Sequence, residues 1–170
     1  MKTSLFPTLG VLAALSITAA AQAPAAGQAE EGKKVYMTVC VACHQPTGMG
    51  LPPVFPPLAK TEYVSGSPER FAAMILKGNA GPMTINGMTY NQIMPGQEAM
   101  LTDDKIAAVM TYVRQNFGNN APAVAPEVVA AARKKFAGRT APWTEAELKA
   151  WKDDAAAPAA PAAPATPAAQ

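Results

Sequence analysis

The sequence predicts an all-α fold in which helices and long Pro/Gly-rich loops enclose a large buried group. Three observations carry this reading. Helix-start signals recur at Ser67-Pro68, Thr102-Asp103 and Thr144-Glu145, where a side-chain oxygen can cap the first free amides. Apolar residues follow the first two at three- and four-residue spacing: Phe71, Met74 and Ile75, then Ile106, Val109, Met110, Val113 and Phe117. Between them, residues 45–60 and 79–92 carry so much proline and glycine that neither a continuous helix nor a central strand suits them. No stretch reads as a convincing strand. Hydrophobic residues make up 49% of the 170, but aromatics only 6% and much of the rest is alanine, so the fold gains from burying a large group.

Charge excludes one class of partner. The 14 Lys+Arg are nearly matched by 12 Asp+Glu, and the longest basic run is Arg133-Lys134-Lys135. A nucleic-acid surface needs a basic stripe, which this chain lacks. Lys60, Lys77 and Lys105 are read as solvated surface rather than as steering charges.

The elements follow in order. Lys2, an apolar run centred on Val11-Leu12-Ala13-Ala14-Leu15, and Ala19-Ala20-Ala21 form a signal peptide over 1–21, so the mature protein is read as soluble and exported, periplasmic or otherwise outside the cytoplasm. A flexible leader spans 22–28. A helix over 29–39, with Glu30 and Glu31 at its N-terminal end, runs into Cys40. The 45–60 loop follows, then a helix from Pro68 to a stop at Gly78, the loop 79–92, and the turn Met94-Pro95-Gly96. The helix capped by Thr102 ends at Gly118. Residues 119–154 form a helical extension, with helices over 126–136 and 145–151, and 155–170 form an Ala/Pro-rich disordered tail. Trp143, Leu148 and Trp151 are read as packing on the outside of the preceding fold.

The chemistry sits at Cys40-Val41-Ala42-Cys43-His44, the attachment sequence of covalent c-type haem. Two intervening residues let both sulfurs reach the porphyrin vinyl groups from one turn of chain, and the adjacent histidine is then held beneath the iron. A thioredoxin-like pair would want a strand before Cys40, and zinc would want a fourth ligand. His44 is the sole histidine, so a second histidine ligand is excluded within this chain. The sixth position falls to methionine, to a weaker donor, or stays open. Met37 and Met49 lie too near the attachment site, and Met74 and Met110 fall on helix stripes. Of Met83, Met88, Met94 and Met100, Met94 is preferred because Pro95-Gly96 makes a rigid turn after it, with Met83 and Met88 next.

Gly32 and Tyr36 before the attachment motif, Pro56-Pro57-Leu58 after it, and Met94-Pro95 followed by a helix resemble class I cytochrome c over about 27–118, which implies a cytochrome domain over 29–118. The resemblance implies thioethers from Cys40 and Cys43, His44 as proximal ligand, and Met94 as distal ligand. It also implies a Pro56 carbonyl that accepts the His44 Nδ1–H, and a crossing of the first and last helices at Gly32 and Tyr112. One haem c with its iron is the implied cofactor, and dehydrogenases, reductases or oxidases are the implied redox partners. The segments 45–58 and 107–114 resemble more narrowly the cytochrome c subunits and domains of periplasmic oxidoreductases. The function expected is single-electron transfer through the haem edge, without enzymatic chemistry. Two rivals remain: a subunit of a dehydrogenase or reductase complex, and a ligand-binding haem sensor with a labile methionine.

Overall fold

The computed structural model describes residues 26–153, so the expected signal peptide, residues 22–25 of the leader and the Ala/Pro tail lie outside the described residues. The first helical stretch runs unbroken through the attachment motif as α1 (Ala26–Val35), a π-helical turn (Tyr36–Cys40) and α2 (Val41–His44). This corrects two expectations. Residues 26–28 are helical rather than flexible leader, since alanine and glutamine favour helix and Gln28 Nε2 donates to the Val124 carbonyl. Glu30 and Glu31 consequently miss the first turn. The π turn fits an extra residue between Tyr36 and Val41, which changes the helix phase. Val35 and Tyr36 face the core while Cys40, Cys43 and His44 line a cleft.

α3 (Glu62–Ser65), which sequence reading missed, starts at Thr61, whose hydroxyl accepts from the Val64 amide. α4 (Pro68–Lys77) begins at the Ser67 cap and stops at Gly78, as its signals predict. α5 (Asp103–Gln115) begins at the Thr102 cap but ends short of Gly118. There Asn116 leaves the helical region and its side-chain amide donates back to the Tyr112 carbonyl. α6 (Pro126–Lys135) and α7 (Glu145–Lys149) follow, the latter with the Thr144–Glu147 capping box.

The all-α expectation fails between α4 and α5. Residues 78–95 hold four short strands: β1 (Gly78–Asn79), β2 (Met83–Ile85), β3 (Met88–Tyr90) and β4 (Met94–Pro95). β2 and β3 form an antiparallel hairpin closed by Asn86-Gly87, both at positive φ, the backbone sign that a two-residue type I′ turn requires. β1 pairs antiparallel with β4, Asn79 opposite Met94.

Two cores position these elements. In the main one, α1 crosses α5 where Gly32 lies against the Ala108 backbone and Tyr112. Tyr36, Leu76, Ile106 and Met110 are fully buried there, joined by Val124, Val128 and Val129 from the extension. Each such large side chain contributes roughly 1.5–3 kcal/mol by leaving water. The second core gathers Tyr63, Met74, Met83, Ile85 and Tyr90 around Trp143 and Leu148. Residues 119–151 therefore complete both cores. Trp151 is half-buried, its ring 5.3 Å from that of Trp143.

Candidate functional site

Cys40, Cys43, His44, Pro56 and Met94 all line one cleft. Its walls are mainly apolar, with Leu58, Val64, Phe71, Ile75, Met83 and Ile85 among them, and it holds about 1070 Å³ of atom-free space including its open mouth. The end of the π turn supplies the Cys40 sulfur and α2 the Cys43 sulfur and the His44 imidazole, and neither cysteine is in a disulfide. Burial, and secondarily Cys43, pushes the Cys40 thiol up to about 11.

The imidazole is fixed from behind. His44 Nδ1 is 3.0 Å from the Pro56 carbonyl oxygen, which makes Nδ1 the protonated nitrogen and leaves the Nε2 lone pair free to coordinate. Burial lowers the His44 pKa, partly opposed by that hydrogen bond, so the ring is neutral at pH 7. The loop carrying Pro56 is anchored at both ends. The Gly50 amide donates to the His44 carbonyl, and the Leu58 and Ala59 amides donate to the Gly48 carbonyl. Asn119 secures the far end: its Oδ1 accepts from the Lys60 amide, and its Nδ2 donates to the Leu58 and Val113 carbonyls. Sequence reading missed Asn119, because a lone asparagine after Gly118 carries no local signal of a contact so distant in the chain.

Met94 reaches the cleft from β4. Its loop is tied to the end of α4 by Gln97 and Glu98 amides donating to the Ile75 and Leu76 carbonyls. Gly78 makes the approach possible: at φ 72°, any Cβ there would overlap the Met94 carbonyl oxygen. Of the other candidates, Met88 is 42% and Met100 71% exposed. Met83 does line the cleft, but it is buried and its sulfur accepts a hydrogen bond from Asn79 Nδ2 at 2.9 Å. Lys77, read as solvated, is in fact buried, with its ammonium on Glu98 at 2.7 Å, whereas Lys60 and Lys105 are exposed.

The cleft suits a broad, mostly apolar, metal-bearing ring with polar substituents. Two thiols, a neutral imidazole and a thioether meet its walls, and the buried Tyr63 hydroxyl beside it has no partner among the described residues, as a donor to a carboxylate substituent would. The same residues do not suit the alternatives. Cys40 sits in a helix rather than after a strand, and among the described residues no group of three or more His, Cys, Asp or Glu side chains is placed to hold a metal ion.

A family model described as Cytochrome c matches residues 29–117. Cytochrome c-552 of Thermus thermophilus is 37% identical over 93 residues, 52% of this chain and 70% of that protein. The cytochrome c subunit of alcohol dehydrogenase (quinone) from Gluconobacter oxydans (strain 621H) is 36% identical over 97 residues, 56% of this chain and 20% of that subunit. The gluconate 2-dehydrogenase cytochrome c subunit of Pantoea cypripedii is 31% identical over 108 residues, 62% of this chain and 24% of that subunit. The chain thus spans about a fifth to a quarter of the dehydrogenase subunits that it matches.

Proposed function

The chain belongs to the cytochrome c family, and from that premise we propose that it is an exported monohaem carrier passing single electrons between redox proteins by outer-sphere transfer. Electron transport with covalently bound haem c is the family's function. The haem supplies the one-electron iron couple; the rest is the work of this chain's residues. Cys40 and Cys43 would hold the haem as thioethers, and His44 would coordinate its iron through Nε2, the ring being set by the Pro56 carbonyl. Met94 would offer its thioether as a further ligand, and histidine–thioether ligation would raise the reduction potential. Leu58, Phe71, Ile75 and Ile85 keep water from the cleft, which favours the less charged state of the iron centre.

The observation that supports the proposal is the convergence of His44 and Met94 on one cleft, where a bound haem iron could take both as ligands and would then have no position left for a substrate. Export rests on residues 1–21; among the described residues, no helix is long and apolar enough to cross a membrane. A second reading, a cytochrome subunit serving a dehydrogenase, is favoured by the names of the two dehydrogenase relatives. The carrier reading is tested by exposing the reduced protein to carbon monoxide and, separately, to hexacyanoferrate, which oxidises without coordinating the iron. Rapid oxidation with no carbon monoxide shift supports it, and a prompt carbon monoxide shift would replace it with the sensor.

A further inference from the structure

We propose that residues 139–143 form a strap that positions the Met94 loop, with Trp143 as the positioning residue; the inference rests on the reading of Met94 as an iron ligand. The link is continuous through the backbone. The Trp143 amide donates to the Gly78 carbonyl and the Ala80 amide donates to the Trp143 carbonyl, both at 2.9 Å. Those two bonds place Trp143 in a parallel bridge with Asn79. On its other edge, Asn79 pairs with Met94. Asn79 is therefore the middle of a three-chain ribbon whose outer members are Met94 and Trp143. A two-residue, two-stranded ribbon is marginal by itself, and a third chain is what gives such pairing independent stability.

Trp143 is anchored from several sides. Its Nε1 donates to the Ala73 carbonyl of α4 at 2.9 Å. Its ring lies 5.1 Å from Phe136 and 5.3 Å from Trp151, and the Arg139 guanidinium sits 3.6 Å above it. Arg139 also donates to the Ala141 and Pro142 carbonyls and to Glu147, which sets the path of the chain into Trp143. Trp143 does not itself line the cleft, so its effect on the thioether passes through Asn79.

An external ligand reaches the iron only when Met94 has left. Its apparent affinity therefore scales with the fraction of molecules in which the Met94 loop is open. Loosening the strap raises that fraction and tightens external binding. A structural residue elsewhere in the extension does not have this effect.

The experiment is imidazole titration of the ferric holoprotein, followed optically, in wild type, Trp143→Ala, Arg139→Ala, Val129→Ala and Met94→Ala. Val129 is fully buried in α6, in the main core rather than the one that holds Trp143, and controls for general destabilisation. With two main-chain hydrogen bonds weakened, Trp143→Ala is expected to bind imidazole about tenfold more tightly. Arg139→Ala moves the same way, and Val129→Ala matches wild type. Should Trp143→Ala fail to load haem, Arg139→Ala decides. Strap variants indistinguishable from wild type, or Val129→Ala rising with them, overturn the strap. If Met94→Ala keeps the far-red band of a ferric iron–thioether bond, the ligand assignment fails first and the strap with it.

Discussion

His44 Nδ1 stands 3.0 Å from the carbonyl oxygen of Pro56, and the loop between them is shaped to keep it there. Gly50 has no side chain at the point where a Cβ would come within 2.5 Å of that oxygen. Gly50→Ala therefore displaces the carbonyl. An imidazole robbed of its acceptor is less basic and stabilises ferric iron less, so the reduction potential rises. The local misfit costs about 2 kcal/mol of stability. Spectroelectrochemical titration and chemical unfolding of the holoprotein check the two effects.

Gly78 plays the matching role for Met94. Its φ of 72° disfavours any other residue, and a Cβ would overlap the Met94 carbonyl and lie 2.7 Å from the Gly96 amide nitrogen. Gly78→Ala pushes β4 outward, with a loss of about 2–3 kcal/mol and a weakened ferric far-red band. Absorbance of the ferric protein and its denaturation midpoint report both.

Arg114 is 3% exposed, and its guanidinium donates to the Val64, Gly66 and Pro122 carbonyls. It ties α3 and the extension to α5, and burial lowers its pKa. Arg114→Met leaves these carbonyls without a donor and costs about 3 kcal/mol. Urea unfolding of wild type and variant measures it.

Glu147 gives the extension a pH dependence. Arg139, and then Thr144, hold its carboxyl down to about 2 from an ordinary 4.5. A depressed carboxyl contributes stability that is present above 4.5 and lost as pH falls through the window down to 2. The advantage of wild type over Glu147→Gln thus shrinks across that window and vanishes near its lower end. The group is exposed, so the effect is small and weakens with salt. Thermal melts of both proteins across the window, at low and high salt, follow it.

Much of this was legible in local sequence. Ser67, Thr102 and Thr144 cap the helices they announce, because capping needs only a side chain and the amide three residues on. Cys40, Cys43 and His44 were legible for the same reason. The β2–β3 hairpin had a signal that went unread: Asn86-Gly87 lies between alternating Met83-Thr84-Ile85 and its partner strand, but the glycine and proline around it suggested loop. Other features had no local signature. The π turn that ends at Cys40 is a phase shift invisible to helical periodicity, and the Met94–Asn79–Trp143 ribbon joins three separate segments of the chain. Lys77 was misread because its partner Glu98 is brought to it only by the fold of the Met94 loop.

The proposed coordination of the iron by His44 and Met94 together has one spectral signature. It is read from the far-red absorption of the ferric holoprotein in wild type, Met83→Ala and Met94→Ala. The iron–thioether band is expected in wild type and in Met83→Ala, and is expected to be lost in Met94→Ala with the haem still attached. A band that survives Met94→Ala, or that disappears in Met83→Ala, would overturn the assignment of Met94 as ligand.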